Sequence, residues 1–288
     1  MNIGVVGNPR YADLKAVLDQ VSALARVRGF TVFAEPGLAQ TWPSVPSLDG
    51  VPLTFLLTLG GDGTLLRGAR MLQGRETPVL GVNLGRIGFL TTATRDQLEP
   101  ALDALVTGSY TVERRLALAA SILGEDGVAR SQQLALNDVV VHKGGVARVI
   151  RMSVVIDGEE IGPYSADGII VATPTGSTAY SLSAGGPILV PGVESMVITP
   201  ICAHTLAVRP IVLPSRLSIV IAPIAPWADD LLVSYDGQVG TTLSSGDRVM
   251  VRKAPTGVHL VRIGPDGFLT RMRKKLQWGD LSGRERTS

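Results

Sequence analysis

What most limits the folds open to this chain is a change of hydrophobic period near residue 110. Before it, strand-like apolar runs alternate with helical repeats. Ile3 to Val6 and Thr31 to Ala34 read as strands, and between them Leu14, Val17, Leu18, Val21, Leu24 and Ala25 recur at helical spacing until Gly29 stops the helix. After a loop over 40–50 containing Pro43 and Pro46, the apolar run Leu53 to Leu59 ends in glycines. A helical stretch through Leu72, a strand from Pro78 to Val82 and a helix from about Thr94 to Val106 follow. Strand and helix in alternation imply a doubly wound parallel sheet.

Beyond Gly108 the pattern becomes short apolar segments divided by turns: Leu116 to Leu123, Leu134 to His142, Val149 to Ile156, Gly168 to Ala172, Leu217 to Ala222, Leu231 to Tyr235, Arg248 to Arg252 and Val258 to Ile263. Asp126-Gly127, Asp157-Gly158 and Asp236-Gly237 punctuate them. Such spacing suggests an all-β, sandwich-like second domain. The expected organisation is an α/β domain over 1–110, an all-β domain over 111–267 and a polar helical tail over 268–288 that packs back on the first domain.

Composition excludes several classes. A chain of 288 residues that is 45% hydrophobic and 18% charged can bury a large core, so disorder is ruled out. A net charge of +2 argues against a nucleic-acid binder. The basic run of Arg271, Arg273, Lys274 and Lys275 is either a solvated helix face or a local phosphate-binding patch. A single cysteine, Cys202, leaves no internal disulfide or Cys-rich zinc site and points to a reducing cytoplasm. The most apolar stretch, Val193 to Pro226, is broken by Pro200, His204, Arg209, Pro210, Pro214 and Arg216, so no membrane span is expected. The amino terminus enters a strand without a basic leader, so no secretory signal is expected either.

Three segments carry chemistry. Gly60, Gly61, Asp62, Gly63 and Thr64 lie between a buried strand and a helix, where open α/β sheets bind ligands and where backbone N–H groups and a helix N-terminus can hold phosphate. Neither common fingerprint fits. Leu66 stands where the dinucleotide motif needs its last glycine, Asn83 where it needs an acid, and no Gly-Lys-Ser/Thr occurs. Asp62 should repel phosphate unless it acts as a base or meets a cation; alternatively it merely caps the helix. Arg67 can add positive charge or be an ordinary surface arginine. Asn137-Asp138 interrupts an apolar strand, as a pair that reads a base edge and sugar hydroxyls or as a bulge or turn. The run from Asp167 through Thr173, Pro174, Thr175 and Gly176 to Tyr180 reads as strand, turn and short helix, offering hydroxyls and N–H groups beside small side chains. Tyr180 either stacks on a base or packs in the core.

In their order and separation these segments resemble the NAD kinase family over essentially the whole chain. Related Gly-Gly-Asp-Gly turns occur in lipid kinases and phosphofructokinases, but the segment from Thr173 to Tyr180 is far more specific. The resemblance implies an α/β and an all-β domain with NAD between them. It also implies phosphoryl transfer from ATP, or in some bacterial members from polyphosphate, to the 2′-hydroxyl of the adenosine ribose. By the same carry-over Asp62 is the general base and Gly63 a backbone contact, while Asn137 and Asp138 hold adenine and ribose. Asp167, Thr178, Ala179, Tyr180, Ser181, Leu182 and Ser183 are further NAD contacts, and Arg67, Arg148 and Gln238 occupy corresponding places. The resemblance further implies a homo-oligomer, dimer or tetramer, that needs magnesium or manganese. Asp138 departs from the glutamate of many relatives, and relatives vary in the turn after Asp236. A lipid kinase would want an apolar cleft, a non-catalytic NAD sensor gains nothing from Asp62, and a dehydrogenase fails at Leu66.

Overall fold

The computed structural model describes residues 1–85, 88–144, 150–205, 207–224, 231–265 and 267–278. The chain divides into two compact units, one of Met1–Met71, Thr77–Glu113 and His259–Ser288, the other of Leu72–Glu76 and Arg114–Val258.

The first unit opens with β1 (Asn2–Gly7), α1 (Leu14–Val27), β2 (Thr31–Ala34), β3 (Phe55–Leu59), α2 (Asp62–Met71), β4 (Val79–Asn83), β5 (Ala93–Thr94), α3 (Leu98–Thr107) and β6 (Thr111–Arg115). β2, β1, β3 and β4 pair in parallel in that order, and β5 pairs in parallel with β4. All five residues of β3 and of β4 are buried, as expected where helices cover both faces of a parallel sheet. α1 buries Leu14, Val17, Leu18, Val21 and Ala25, nearly the whole stripe that the helical spacing predicts. A capping box between Thr94 and Gln97 starts a single 3-10 turn that leads into α3.

The second unit comprises β7 (Leu118–Leu123), β8 (Ala129–Ala135), β9 (Asp138–Lys143), β10 (Ile150–Ile156), β11 (Glu159–Ala166), β12 (Gly168–Ala172), α4 (Tyr180–Ser183), β13 (Ser195–Ile201), β14 (Ile211–Pro214), β15 (Ile219–Pro223), β16 (Leu231–Tyr235), β17 (Val239–Leu243) and β18 (Arg248–Lys253). Two six-stranded sheets result, ordered β11-β10-β15-β18-β7-β8 and β14-β13-β12-β9-β16-β17. Every pairing within them is antiparallel. Met152, Val154, Ile221 and Val249 of one sheet share a core with Val139, Val141, Ile169, Val171 and Val233 of the other, which makes a sandwich. On the outer face of the second sheet, Val140, Ile170 and Val197 pack with Ala184 and Leu189, so the segment after α4 covers it.

The chain then returns to the first unit. β19 (Val258–Arg262) pairs in parallel with β4, completing a sheet ordered β2-β1-β3-β4-β19-β6, and α5 (Phe268–Leu276) follows. A parallel α/β unit and an antiparallel all-β unit thus match the change of period in the sequence. The apolar run Val258 to Ile263, read as part of the all-β half, instead extends the parallel sheet. Its period of two is the same in either sheet, and only the partner strand distinguishes them.

Leu57 is fully buried in the central β3. Leu57→Ala should therefore cost about 2–5 kcal/mol, read as a lower urea midpoint at unchanged slope.

Candidate active site

In the first unit, buried β3 ends at Leu59 and α2 begins at Asp62, which occupies the first helical position. Its side chain does not cap that helix. The carboxylate reaches the connection after β4, where Oδ2 accepts the Phe89 N–H at 2.7 Å and Oδ1 accepts those of Leu90 at 3.0 Å and Thr91 at 3.4 Å. Lys275 of α5 places Nζ 3.7 Å from Oδ2 and 4.7 Å above the Phe89 ring. A carboxylate offers about four acceptor positions, so the three N–H groups leave one on Oδ2, on the side Lys275 approaches. Gly88 makes the arrangement possible, because a Cβ there would overlap Asp62 Oδ1. The connection is fixed in turn by Arg262 of β19, whose Nη1 donates to the Leu90 carbonyl at 2.7 Å while Nε donates to Glu113 at 2.7 Å.

Other residues of the turn are engaged differently from the sequence reading. The Gly60 N–H donates to the Val82 carbonyl at 3.0 Å and the Thr64 N–H to the Gly61 carbonyl at 3.0 Å, so neither donor is available to a phosphate in this arrangement. Thr64 is buried, and Gly61 and Gly63 lie nearer the surface. Arg67 turns to Glu35, to which both Nη1 and Nη2 donate, and its Nη2 donates to the Gly7 carbonyl at 2.7 Å. Its charge is neutralised there rather than offered to Asp62. Glu35, buried and also accepting the Gly7 N–H at 2.8 Å, went unnoticed in the sequence because nothing local distinguishes it from a loop residue.

In the second unit, Asn137, Asp138, Asp167, Ala179 and Tyr180 line one cavity of about 550 Å³ together with His142, Lys143, Ser234 and Asp236. That size suits a nucleoside. Asn137 sits at the bend between β8 and β9, as the turn reading expects, and both residues of the pair line the cavity. Tyr180 is 46% exposed, which removes the core-packing alternative and leaves its ring available for stacking. Lys143 pairs with Asp167 at 2.7 Å.

The hydroxyl-rich segment holds itself rather than presenting its hydroxyls. Thr173 Oγ1 donates to the Leu136 carbonyl at 2.6 Å and accepts the Gly176 N–H at 3.0 Å. Ser177 Oγ donates to the Pro174 carbonyl at 2.7 Å, Thr178 Oγ1 donates to the Thr175 carbonyl at 3.1 Å, and Ser181 Oγ bonds Thr199 Oγ1 at 2.8 Å. The turn also presses on Asn137, for a Cβ at Gly176 would overlap the Asn137 carbonyl. Thr178, Ser181, Leu182, Ser183 and Gln238 are not among the residues lining the cavity. Arg148 lies outside the described residues.

Asp236, read in the sequence only as half of a turn, organises this site. Its backbone adopts φ +52°, a left-handed conformation favoured in an Asp-Gly turn. Its buried carboxylate accepts the N–H groups of Leu136 at 3.2 Å, Asn137 at 2.7 Å and Asp138 at 3.3 Å, fixing the bend that carries the Asn137-Asp138 pair. Burial first, and the neighbouring Asp236 charge second, push the Asp138 carboxyl up to about 7. Near neutral pH Asp138 therefore exists in both forms, able to donate or accept a hydrogen bond.

A glycine-rich strand-to-helix turn that presents a carboxylate, and a cavity of nucleoside size lined by Asn137, Asp138 and Asp236, define a nucleotide-handling phosphotransferase. Residues 3–110 match the ATP-NAD kinase N-terminal domain and residues 136–263 the ATP-NAD kinase C-terminal domain. An NAD kinase from Gemmatimonas aurantiaca is 49% identical over 99% of both chains, and one from Syntrophotalea carbinolica is 39% identical over 96% of this chain and 99% of that one. Among solved structures, yeast NADH kinase complexed with NADH superposes with a TM-score of 0.88 at 25% identity, covering 97% of this chain and 88% of that one. An NAD kinase from Archaeoglobus fulgidus in complex with ATP gives 0.75 at 25% identity, over 96% and 99%. The chain belongs to the NAD kinase family.

Two outcomes check the geometry. Gly88→Ala must displace the Asp62 carboxylate, and turnover should fall about 10²-fold with the fold retained, measured by steady-state kinetics beside a thermal melt. The raised Asp138 carboxyl means that the folded protein binds more protons than the unfolded chain between about pH 4 and pH 7, so this group's penalty on stability grows as pH rises through that window and is complete above it. Asp138→Asn should accordingly gain stability relative to wild type on going from pH 5 to pH 8, by up to about 3 kcal/mol in urea unfolding.

Proposed function

We propose that this chain transfers the terminal phosphoryl group of ATP to the 2′-hydroxyl of the adenosine ribose of NAD, giving NADP. The observation that carries the reading is Asp62: a carboxylate in a glycine turn at the end of a parallel strand, held by three backbone N–H groups with one acceptor position left. Family membership supports the same conclusion.

In this reading Asp62 Oδ2 accepts the proton of the 2′-hydroxyl as the ribose oxygen bonds to the γ-phosphorus. The bond from that phosphorus to the bridging oxygen breaks, and its electron pair leaves with ADP. A sugar hydroxyl is a weak nucleophile near neutral pH, so a positioned base gains about 10²–10⁴-fold. The fixed N–H groups keep the carboxylate from rotating away, which matters because phosphoryl transfer depends chiefly on positioning and on neutralising charge. Asn137 and Asp138 read the adenosine, Tyr180 stacks on its base, and Asp236 keeps the bend rigid. Asp167 orients Lys143 at the rim of the same cavity.

ATP would enter with a magnesium or manganese ion. No group of three His, Cys, Asp or Glu side chains gathers among the described residues. An ion brought with ATP would be held by phosphate oxygens and water, since the last acceptor position of Asp62 goes to the ribose hydroxyl. Such an ion supplies neutralisation of phosphate charge. The family resemblance also supports a cytoplasmic homo-oligomer, and a single exposed cysteine is compatible with a reducing compartment. Among the described residues no helix is long and apolar enough to cross a membrane.

Asp62→Asn tests the base. Turnover of NAD with ATP should fall at least about 10²-fold while the dissociation constant for NAD, by calorimetry, stays within a few fold. The variant also turns an amide NH₂ or a weaker acceptor toward the N–H of Phe89, so a modest loss of thermal stability should accompany it. Wild-type turnover in the folded variant would remove Asp62 from the mechanism.

A further inference from the structure

Leu90 is held from both sides. Its N–H donates to Asp62 Oδ1 at 3.0 Å, and its carbonyl accepts from Arg262 Nη1 at 2.7 Å. That carbonyl shares a peptide plane with the Thr91 N–H, which reaches the same Asp62 oxygen at 3.4 Å. A trans peptide is flat, with its C=O and N–H pointing in opposite directions, so whatever fixes the carbonyl also aims the N–H. A cationic donor on the carbonyl further polarises the unit and strengthens its N–H as a donor. Arg262 thus acts from the far side of the peptide on the carboxylate that the peptide holds.

The guanidinium is itself oriented. Its Nε donates to Glu113 of β6 at 2.7 Å, and Nη1 divides between the Leu90 carbonyl and Thr92 Oγ1, 3.1 Å away. Thr92 Oγ1 donates in turn to the Val261 carbonyl at 2.7 Å, and the Thr92 N–H to the Gly81 carbonyl of β4 at 2.9 Å. An ion pair between the neighbouring strands β19 and β6 ordinarily serves to join them. One nitrogen would be enough for that. Here a planar fork carries the contact on to the segment that holds Asp62, a geometry that the single nitrogen of a lysine does not reproduce. The arginine side chain is only 10% exposed, so water competes little for the Leu90 carbonyl.

We propose that Arg262, oriented by Glu113, is a positioning residue for the reaction: by clamping the peptide between Leu90 and Thr91 it sets where the Asp62 carboxylate stands. The proposal rests on the reading of Asp62 as the base and deepens it by naming the residues that keep that base in place. Their effect falls on the chemical step rather than on the binding of NAD or ATP, because they act on the reacting oxygen through the backbone that orients it.

The test uses the full chain. Arg262→Lys keeps a cation for Glu113, so the thermal midpoint should stay near that of wild type while kcat falls about tenfold or more and the KM values for NAD and ATP change less than about twofold. Glu113→Gln keeps an acceptor for Nε without its charge and should lower kcat by a smaller factor. In an Asp62→Asn background no base remains to be placed, so adding Arg262→Lys should lower the residual rate by less than about twofold. An unchanged kcat in the single variant, or a full further fall in the double variant, overturns the proposal. Amide hydrogen exchange needs no turnover: in Arg262→Lys the Leu90 and Thr91 amides should exchange about tenfold faster while that of Leu57 in β3 exchanges as in wild type. Wild-type exchange at Leu90 and Thr91, or equal acceleration at all three, also overturns it. If the wild-type chain made no NADP from any donor, the kinase reading would fall, and the exchange pattern would still decide whether Arg262 clamps this peptide.

Discussion

The carboxylate of Asp62 is where separate parts of the first unit have to agree. β3 brings it to the end of the sheet, the connection after β4 supplies three N–H groups to hold it, and Arg262 on β19 pins that connection through the Leu90 carbonyl. A lone carboxylate at the buried end of a parallel strand would lose hydration with no compensation. The N–H groups provide that compensation and fix the orientation of the carboxylate in the same step. Segments about 200 residues apart in sequence therefore converge on one side chain, and the late return of the chain into the first sheet bears directly on how that side chain is held.

The protein handles its other charges by the same economy. Glu35 and Arg67 neutralise one another while gripping both backbone groups of Gly7, which ties the end of β1 to α2. Asp236 takes three N–H groups, and its proximity helps to keep Asp138 close to half protonated near neutral pH. Lys275 of α5 stands 3.7 Å from the Asp62 carboxylate. In each unit a buried charge is set by a partner distant in sequence.

Strands buried at the centre of a sheet were legible from the sequence. Gly168–Ala172 and Leu231–Tyr235 fall where the apolar runs place them, since central strands must be apolar on both faces or alternate cleanly. The overlooked strands are mostly at edges. β8 is polar through Ser131, Gln132 and Gln133, β11 contains Gly162 and Pro163, and β14 and β17 close the two sides of the other sheet. An edge strand keeps one row of backbone groups in solvent and tolerates proline and polar residues, so it carries little periodic signal. β13 was obscured differently, by Pro200 within an apolar run that reads as broken.

By itself the sequence determined the two fold types, the glycine turn with its acid, the Asn137-Asp138 pair and the segment after Asp167, because periodicity and turn chemistry are local properties and each is written within about 20 consecutive residues. Tertiary structure alone decided that β19 joins the parallel sheet, that Arg67 belongs to Glu35, that the hydroxyls from Thr173 to Ser181 brace their own turn, and that Asp236 and Lys275 reach the two sites. Those outcomes depend on which groups meet across long sequence separations, and a hydrogen-bonding side chain has the same composition and spacing whichever partner the fold supplies.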